Sequence, residues 1–248
     1  RKTMGVSDII SQQINKHIDE SILNKHEKYE RGNRRPYLGA SIIGRPCARQ
    51  IQYMWKSVGV DRGKGFPPKI LRTFKIGDVF EELLIDYLWE AGFQVQTKNA
   101  KGAQFGFTYY SGQIRGHVDG IIKDGPKDCG PYPRLWECKS MNDKKFFEFE
   151  NQGVKRSHPV YYYQMQIYMD QLKLTTNPGI LTAMNKDNSR IVHEAVPYNE
   201  TEAKKILNRA IEIINKTERK LPMPRISKYR DHFECRYCSW QDRCWSHE

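Results

Sequence analysis

The sequence predicts an α/β fold: a mixed central β-sheet flanked by helices, with the two ends of the chain tied together by cysteines. Three observations predict it. Apolar residues recur at helical spacing early, midway and late in the chain, and short alternating segments lie between. Gly-, Pro- and Asn-rich turns separate those segments. Three closely spaced cysteines, Cys235, Cys238 and Cys244, end the chain. The 248 residues are 38% hydrophobic and 12% aromatic, which suits a sizeable core and excludes a disordered chain. A single domain is expected over 1–248. It comprises an N-terminal helical segment (1–69), a core (70–220) and a C-terminal cysteine segment (221–248).

The elements follow in order. Residues 6–30 read as a helix on Ile9, Ile10, Ile14, Ile18, Ile22 and Leu23. Arg31–Gly44 reads as loop. Cys47–Trp55 reads as a short helix starting after Pro46, and Gly59–Pro68 as loop. Ile70–Ala91 is the clearest helix, with a stripe of Ile76, Val79, Phe80, Leu83, Leu84, Tyr87 and Leu88. Gly92 stops it. Strands are expected at Phe93–Thr97, Phe105–Tyr110, Ile114–Ile122 and Arg134–Ser140. The loop between the last two is rich in turn formers. Lys144–Phe149 reads as a short helix and Pro159–Leu172 as an aromatic-rich one. Ile180–Asn185 and Arg190–Pro197 form a hairpin. Thr201–Lys220 is a closing amphipathic helix, with Asn199 and Glu202 at capping-box spacing.

The charge is lopsided, with 41 Lys and Arg against 29 Asp and Glu, a net +12. A polyanion is the natural partner, either nucleic acid or an anionic membrane surface. Basic groups stand at Arg31-Gly-Asn-Arg34-Arg35, Lys98 with Lys101, and Lys144-Lys145. No apolar run approaches the roughly 20 residues of a membrane span, and Arg1–Gly5 shows no secretory h-region. A cytoplasmic, unsecreted protein is expected. Cysteines there stay reduced, so close spacing argues for metal before disulfide.

The chemistry centres on Gly116-His-Val-Asp119 and Glu137-Cys-Lys139. Side chains alternate along a strand, so Glu137 and Lys139 share one face while Trp136 and Cys138 enter the core from the other. If the two strands pair, Asp119 lies beside Glu137. Two carboxylates together suit a hard cation such as Mg²⁺ or Mn²⁺. A lysine beside them can orient water or neutralise developing charge. Glu81 lies at the flank of the long helix's apolar stripe, where it can face a cleft. Gln164 and Tyr168 stand four apart on one helix face. His117 reads as a structural histidine, not a ligand.

The ordered set Gly77-x-x-x-Glu81, Gly116-x-x-Asp119, Glu137-x-Lys139 and Gln164-x-x-x-Tyr168 resembles the PD-(D/E)XK nuclease superfamily, in particular its RecB-like branch. The resemblance spans about residues 40–245. It implies a restriction-endonuclease-like core and Mg²⁺- or Mn²⁺-dependent hydrolysis of DNA. It makes Asp119, Glu137 and the main-chain carbonyl of Cys138 metal ligands, with Glu81 the helix acid near the metals. Lys139 becomes the catalytic lysine, and Gln164 and Tyr168 contact DNA or support the site. Where many RecB-like members carry His-Glu in the helix motif, this chain has Glu81-Glu82.

Cys235-x-x-Cys238-x5-Cys244 has metal-ligand spacing, and Cys47 is the leading fourth ligand. Such a staple closes a loop over most of the chain. Four cysteines hold zinc or an iron–sulfur cluster, and spacing does not decide. The arrangement resembles the iron–sulfur-stapled nucleases of the AddB and Cas4-like types, phage-encoded relatives included, and that resemblance implies a [4Fe–4S] cluster. Arg49 and Ser41, near Cys47, are candidates to hold a DNA phosphate. The resemblance further implies an exonuclease on single-stranded DNA ends in recombination, repair or processing, with a recombination or single-strand-binding protein as a possible partner. A non-catalytic DNA-binding subunit and a site-specific endonuclease are the alternatives.

Overall fold

The computed structural model of the chain describes residues 6–32 and 35–246. Arg34 of the basic group at 31–35, and Arg1–Gly5, lie outside the described residues. In chain order the elements are α1 (Val6–Gly32), β1 (Leu38–Gly39), α2 (Ala40–Ile43), α3 (Ala48–Trp55) and α4 (Pro68–Glu90). There follow β2 (Gln94–Gln96), β3 (Gly106–Tyr109), β4 (Ile114–His117), β5 (Gly120–Asp124) and β6 (Arg134–Met141). The chain ends with α5 (Asp143–Ser157), α6 (Pro159–Gln171), β7 (Gly179–Asn185), β8 (Ile191–Val196), α7 (Glu200–Glu218), α8 (Phe233–Arg236) and α9 (Gln241–Trp245). No helix among the described residues is long and apolar enough to cross a membrane.

The main sheet has five strands in the order β2-β5-β6-β7-β8. Only β6 and β7 run parallel within it, so the sheet is mixed as expected. β6 is its centre. Trp136 and Cys138 pack on one face with Leu84 and Ile85 of α4, Val95, Ile122 and Met184. The other face carries Leu135 and Met141 against Met165 and Met169 of α6 and Phe146 of α5. Helices thus cover both faces, and β6 is buried along nearly its whole length, as a strand with two covered faces must be.

Several expectations need correction. The strand expected over Ile114–Ile122 is two strands in two sheets: β4 joins β1 and β3, while β5 joins the main sheet. The break falls at Val118-Asp119. Gly120 permits the crossing, since a Cβ there would meet Val95 Cγ1 at 2.8 Å. The segment read as loop over Arg31–Gly44 contains β1 and α2. Leu38 of β1 pairs with Ile114 and is fully buried, so the N-terminal segment enters the core. At Gly44 a Cβ would lie 3.0 Å from Val160 Cα, which explains how closely α2 sits on α6.

α1 forms, but Ile9, Ile10, Ile14 and Ile18 are exposed. Only its later part packs on α4, with Asp19 paired to Arg72. On α4 the inward face is Gly77, Phe80, Glu81, Leu84, Ile85 and Leu88, while Ile76, Val79 and Tyr87 face out. Glu81 is therefore on the buried face, not at its flank. The short helix at Lys144–Phe149 extends to α5, with Gly153 at φ 70°.

Candidate active site

Asp119 occupies the break between β4 and β5. Its register neighbour Gly120 lies opposite Trp136, which brings Asp119 alongside the middle of β6. Asp119 Oδ2 accepts a hydrogen bond from the backbone N–H of Cys138 at 2.9 Å. That bond fixes the carboxylate against the strand bearing Glu137 and Lys139.

Glu137 is 1% exposed, so it sits in the interior rather than in an open cleft. Its Oε1 accepts from Lys139 Nζ at 2.5 Å and from Gln164 Nε2 at 2.8 Å. Its Oε2 is buried without a hydrogen-bond partner. Lys139 Nζ also lies 3.9 Å from Asp119 Oδ2 and 5.3 Å from the centre of the Tyr161 ring. Gln164 Nε2 donates to the Tyr168 hydroxyl at 3.0 Å as well. Tyr161, Gln164 and Tyr168 stand at i, i+3 and i+7 on α6, one face of one helix. Gln164 and Tyr168 are 6% and 2% exposed. Their contacts point inward to Glu137 and to each other.

A second group meets Asp119 from the α4 side. One carboxylate oxygen each from Glu81 and Asp119, and the Cys138 thiol, lie within 4.8 Å of one another. Cys138 enters the core from the opposite face, as alternation predicts, yet its sulfur still reaches this group. Sequence reasoning placed only its carbonyl here. The helical spacing of Glu81 with Leu84 and Ile85 is the signal that marks α4 as covering that face.

The electrostatics follow from burial. Desolvation, then the neighbouring Asp119 charge, pushes Glu137 up to about 8 and Glu81 up to about 7. Burial alone would lower Lys139, but Glu137 and Asp119 outweigh it and hold the ammonium charged. Burial, then Glu137, raises the Tyr168 hydroxyl. Three carboxyls thus crowd one lysine, and one carboxylate oxygen is orphaned. A divalent cation fits this donor set: it would satisfy Glu137 Oε2 and offset the repulsion that raises both glutamates.

The four cysteines Cys47, Cys235, Cys238 and Cys244 line one pocket, together with Arg49, Gln50 and Tyr53 of α3. Arg49 was a candidate phosphate ligand. Its Nε instead donates to Met223 O at 2.6 Å, and its Nη1 lies 3.7 Å from Cys244 Sγ, because the C-terminal segment folds over α3. Ser41 is exposed on α2. His117 is exposed at the end of β4. Cys129 is exposed, away from the four.

No curated protein sequence matches the chain. Among solved structures, SSO0001 is similar over 94% of this chain and 97% of its own, at 16% identity and a TM-score of 0.49. An alkaline exonuclease from Laribacter hongkongensis is similar over 78% of this chain and 93% of its own, at 13% identity and a TM-score of 0.52. The same exonuclease in complex with dAMP gives 11% identity and a TM-score of 0.49, over 75% of this chain and 90% of that one. At such identities the likeness to the exonuclease shows a shared fold. The sequence match is to a family model, that of the PD-(D/E)XK nuclease superfamily, and it covers residues 52–245. Those residues include Glu81, Asp119, Glu137, Lys139, Gln164 and Tyr168, and on that match the chain belongs to the PD-(D/E)XK nuclease superfamily.

Proposed function

We propose that this chain is a metal-dependent DNA exonuclease of the RecB-like, Cas4-like kind, hydrolysing phosphodiester bonds from single-stranded DNA ends in recombination, repair or processing. The observation that carries the reading is the convergence of Asp119 and Glu137 on the Lys139 ammonium, with the second Glu137 oxygen buried and unpartnered. Asp119, Glu137 and Glu81 would hold Mg²⁺ or Mn²⁺, with the Cys138 carbonyl as a further oxygen donor. When bound, the ion would supply Lewis-acid charge to the phosphoryl group and to the attacking water. Lys139, kept charged by its carboxylates, orients that water and neutralises charge on the phosphorus oxygens. Gln164 holds Glu137 in place, and Tyr168 holds Gln164. Burial of that chain fixes the ligand geometry before substrate arrives. The net charge of +12 draws DNA to the protein, with affinity falling as salt rises.

The four cysteines that share one pocket are the donor set of a [4Fe–4S] cluster, which the likeness to the AddB- and Cas4-type nucleases favours over zinc. As isolated, the protein should be brown and hold iron.

The deciding experiment incubates end-labelled linear and closed circular DNA with the protein, with and without Mn²⁺. Degradation of linear strands only, and a loss of about a hundredfold or more in Lys139→Ala, is the expected result. Undiminished cutting by Lys139→Ala would remove the assignment. Cutting of circles would make the enzyme an endonuclease.

A further inference from the structure

The C-terminal segment presents a surface that the catalytic site does not use. Tyr229, Phe233 and Tyr237 are 73%, 70% and 72% exposed, the highest values among the large hydrophobic side chains of the described residues. They recur every fourth residue, and Phe233 and Tyr237 meet edge to face with ring centroids 5.4 Å apart. A single exposed ring is ordinary. Three within one short segment form a patch that wants an occupant.

The patch is held firmly. Cys235, between the rings, is buried in the cysteine pocket, and Trp240 Nε1 donates to Val58 O at 2.8 Å. The Asp61 carboxylate accepts from the backbone N–H of Asp242 at 2.6 Å and of Arg243 at 3.2 Å. Asp61 N in turn donates to Ser239 O at 2.8 Å. These bonds bring the exposed Arg62 beside Asp242 and Arg243. Segments 56–64 and 225–243 together hold eight basic residues against four acidic ones. The rings themselves are interleaved with exposed Lys228, Arg230 and Arg236.

We propose that this face binds single-stranded nucleic acid, with the rings of Tyr229, Phe233 and Tyr237 stacking on unpaired bases and the basic residues following the phosphates. Charge chooses the class of partner, since basic residues outnumber acidic ones eight to four in the two segments. The rings choose the strand state. A duplex hides its base faces and offers phosphate alone, whereas a single strand offers a π-face at each nucleotide. Arg230 is paired with Asp242, and Arg236 donates to Asp231 O, but each guanidinium keeps further N–H donors for a phosphate. The inference rests on the nucleic-acid reading above, yet it concerns binding and not hydrolysis.

The test is therefore made in EDTA with the whole protein. Fluorescence anisotropy would compare a labelled oligothymidine, an abasic strand of equal length and a duplex. Y229A/F233A/Y237A is expected to lose about tenfold or more on oligothymidine and to bind the abasic strand as the wild type does. Tyr237→Phe and Phe233→Trp keep binding. Equal affinity of the triple variant and wild type for oligothymidine overturns the proposal, as does an equal loss on both strands. Should the triple variant fail to fold, photocrosslinking of the wild type to 5-iodouracil strands decides. Adducts on Tyr229, Phe233 or Tyr237 support the site, and adducts only elsewhere overturn it. A protein that binds as expected but cuts nothing in Mn²⁺ refutes the nuclease reading alone.

Discussion

A Cβ at Gly116 would meet Tyr168 Cε1 at 2.5 Å, Phe107 Cε1 at 2.6 Å and Ala40 Cβ at 3.0 Å. Neither ring is free to yield, since the two already pack edge to face at 6.0 Å and Tyr168 is tied to Gln164. Gly116→Ala should cost about 1–3 kcal/mol, read by chemical denaturation, and should weaken activity by tilting Tyr168 and releasing Gln164 from Glu137. A variant as stable and active as wild type would show that α6 can shift at no cost. A second prediction concerns protons. Glu137 and Glu81 rise from 4.5 to about 8 and about 7 when folded, through burial first and Asp119 second. An acid that binds its proton more tightly in the folded state stabilises the fold below its unfolded pKa. That contribution is lost as pH rises through the folded value. Metal-free wild type should therefore lose thermal stability relative to Glu137→Gln between about pH 5 and about pH 8. Mn²⁺ should abolish the difference by giving the ionised carboxylate a partner, because metal ligation needs the deprotonated form. The shared face of Glu137 and Lys139 was legible in the sequence because strand alternation is a local rule, whereas Asp119, at a break between strands, was legible only through its place in the ordered motif. The depth of Glu137 and the reach of the Cys138 thiol were not, since both depend on how α4 and α6 dock on the sheet.

Helix starts are the elements' most legible feature. Asn199 caps α7, its side chain accepting from Glu202 N at 3.0 Å, and Asn142 caps α5 by accepting from Lys145 N at 3.0 Å. Each holds an otherwise orphan backbone N–H, so Asn142→Ala and Asn199→Ala should each cost about 1 kcal/mol. The effects should add in the double variant, because the caps share no partner. Strong non-additivity in urea unfolding would mean that α5 and α7 are coupled through α6. The faces of helices were less legible than their ends. On α4 both the Ile76–Val79–Tyr87 line and the Gly77–Glu81–Leu84–Leu88 line satisfy a helical period. Docking against Trp136 and Cys138 selects the second, and that choice is made by the sheet. The split at Asp119 was hidden for a similar reason. Polar Arg115, His117 and Asp119 alternate with apolar residues or glycine from Ile114 to Ile121, and only the crowding around Gly120 shows where the chain changes sheets.

Across the whole molecule, two kinds of tie join the ends. One is the cysteine pocket, through the cluster proposed for it. The other is a set of hydrogen bonds that needs no metal. Gln52 is 7% exposed; its Nε2 donates to Thr217 Oγ1 at 2.9 Å and to Leu221 O at 3.0 Å, while its Oε1 accepts from Met223 N at 2.6 Å. Arg209 donates to Ile43 O and Pro46 O, each at 2.8 Å, and so holds the loop that leads into Cys47. The two kinds of tie predict different failures. Gln52→Ala leaves buried backbone groups unpaired and should cost about 1–3 kcal/mol, with iron content preserved. With the proposed cluster in the pocket, Cys238→Ser should abolish the iron and its broad absorbance near ~400 nm. It should also open the segment from Leu221 onward to protease before the sheet is cut, because loss of the cluster restores the entropy of a loop spanning most of the chain. The core should survive that cut, since β6 and its covering helices make their contacts before Leu221. Limited proteolysis followed by mass measurement separates the cases. If Cys238→Ser loses its iron yet resists protease as the wild type does, then the hydrogen bonds of Gln52, Arg209 and Trp240 hold the ends together, and the cluster serves chemistry or DNA binding instead of the fold.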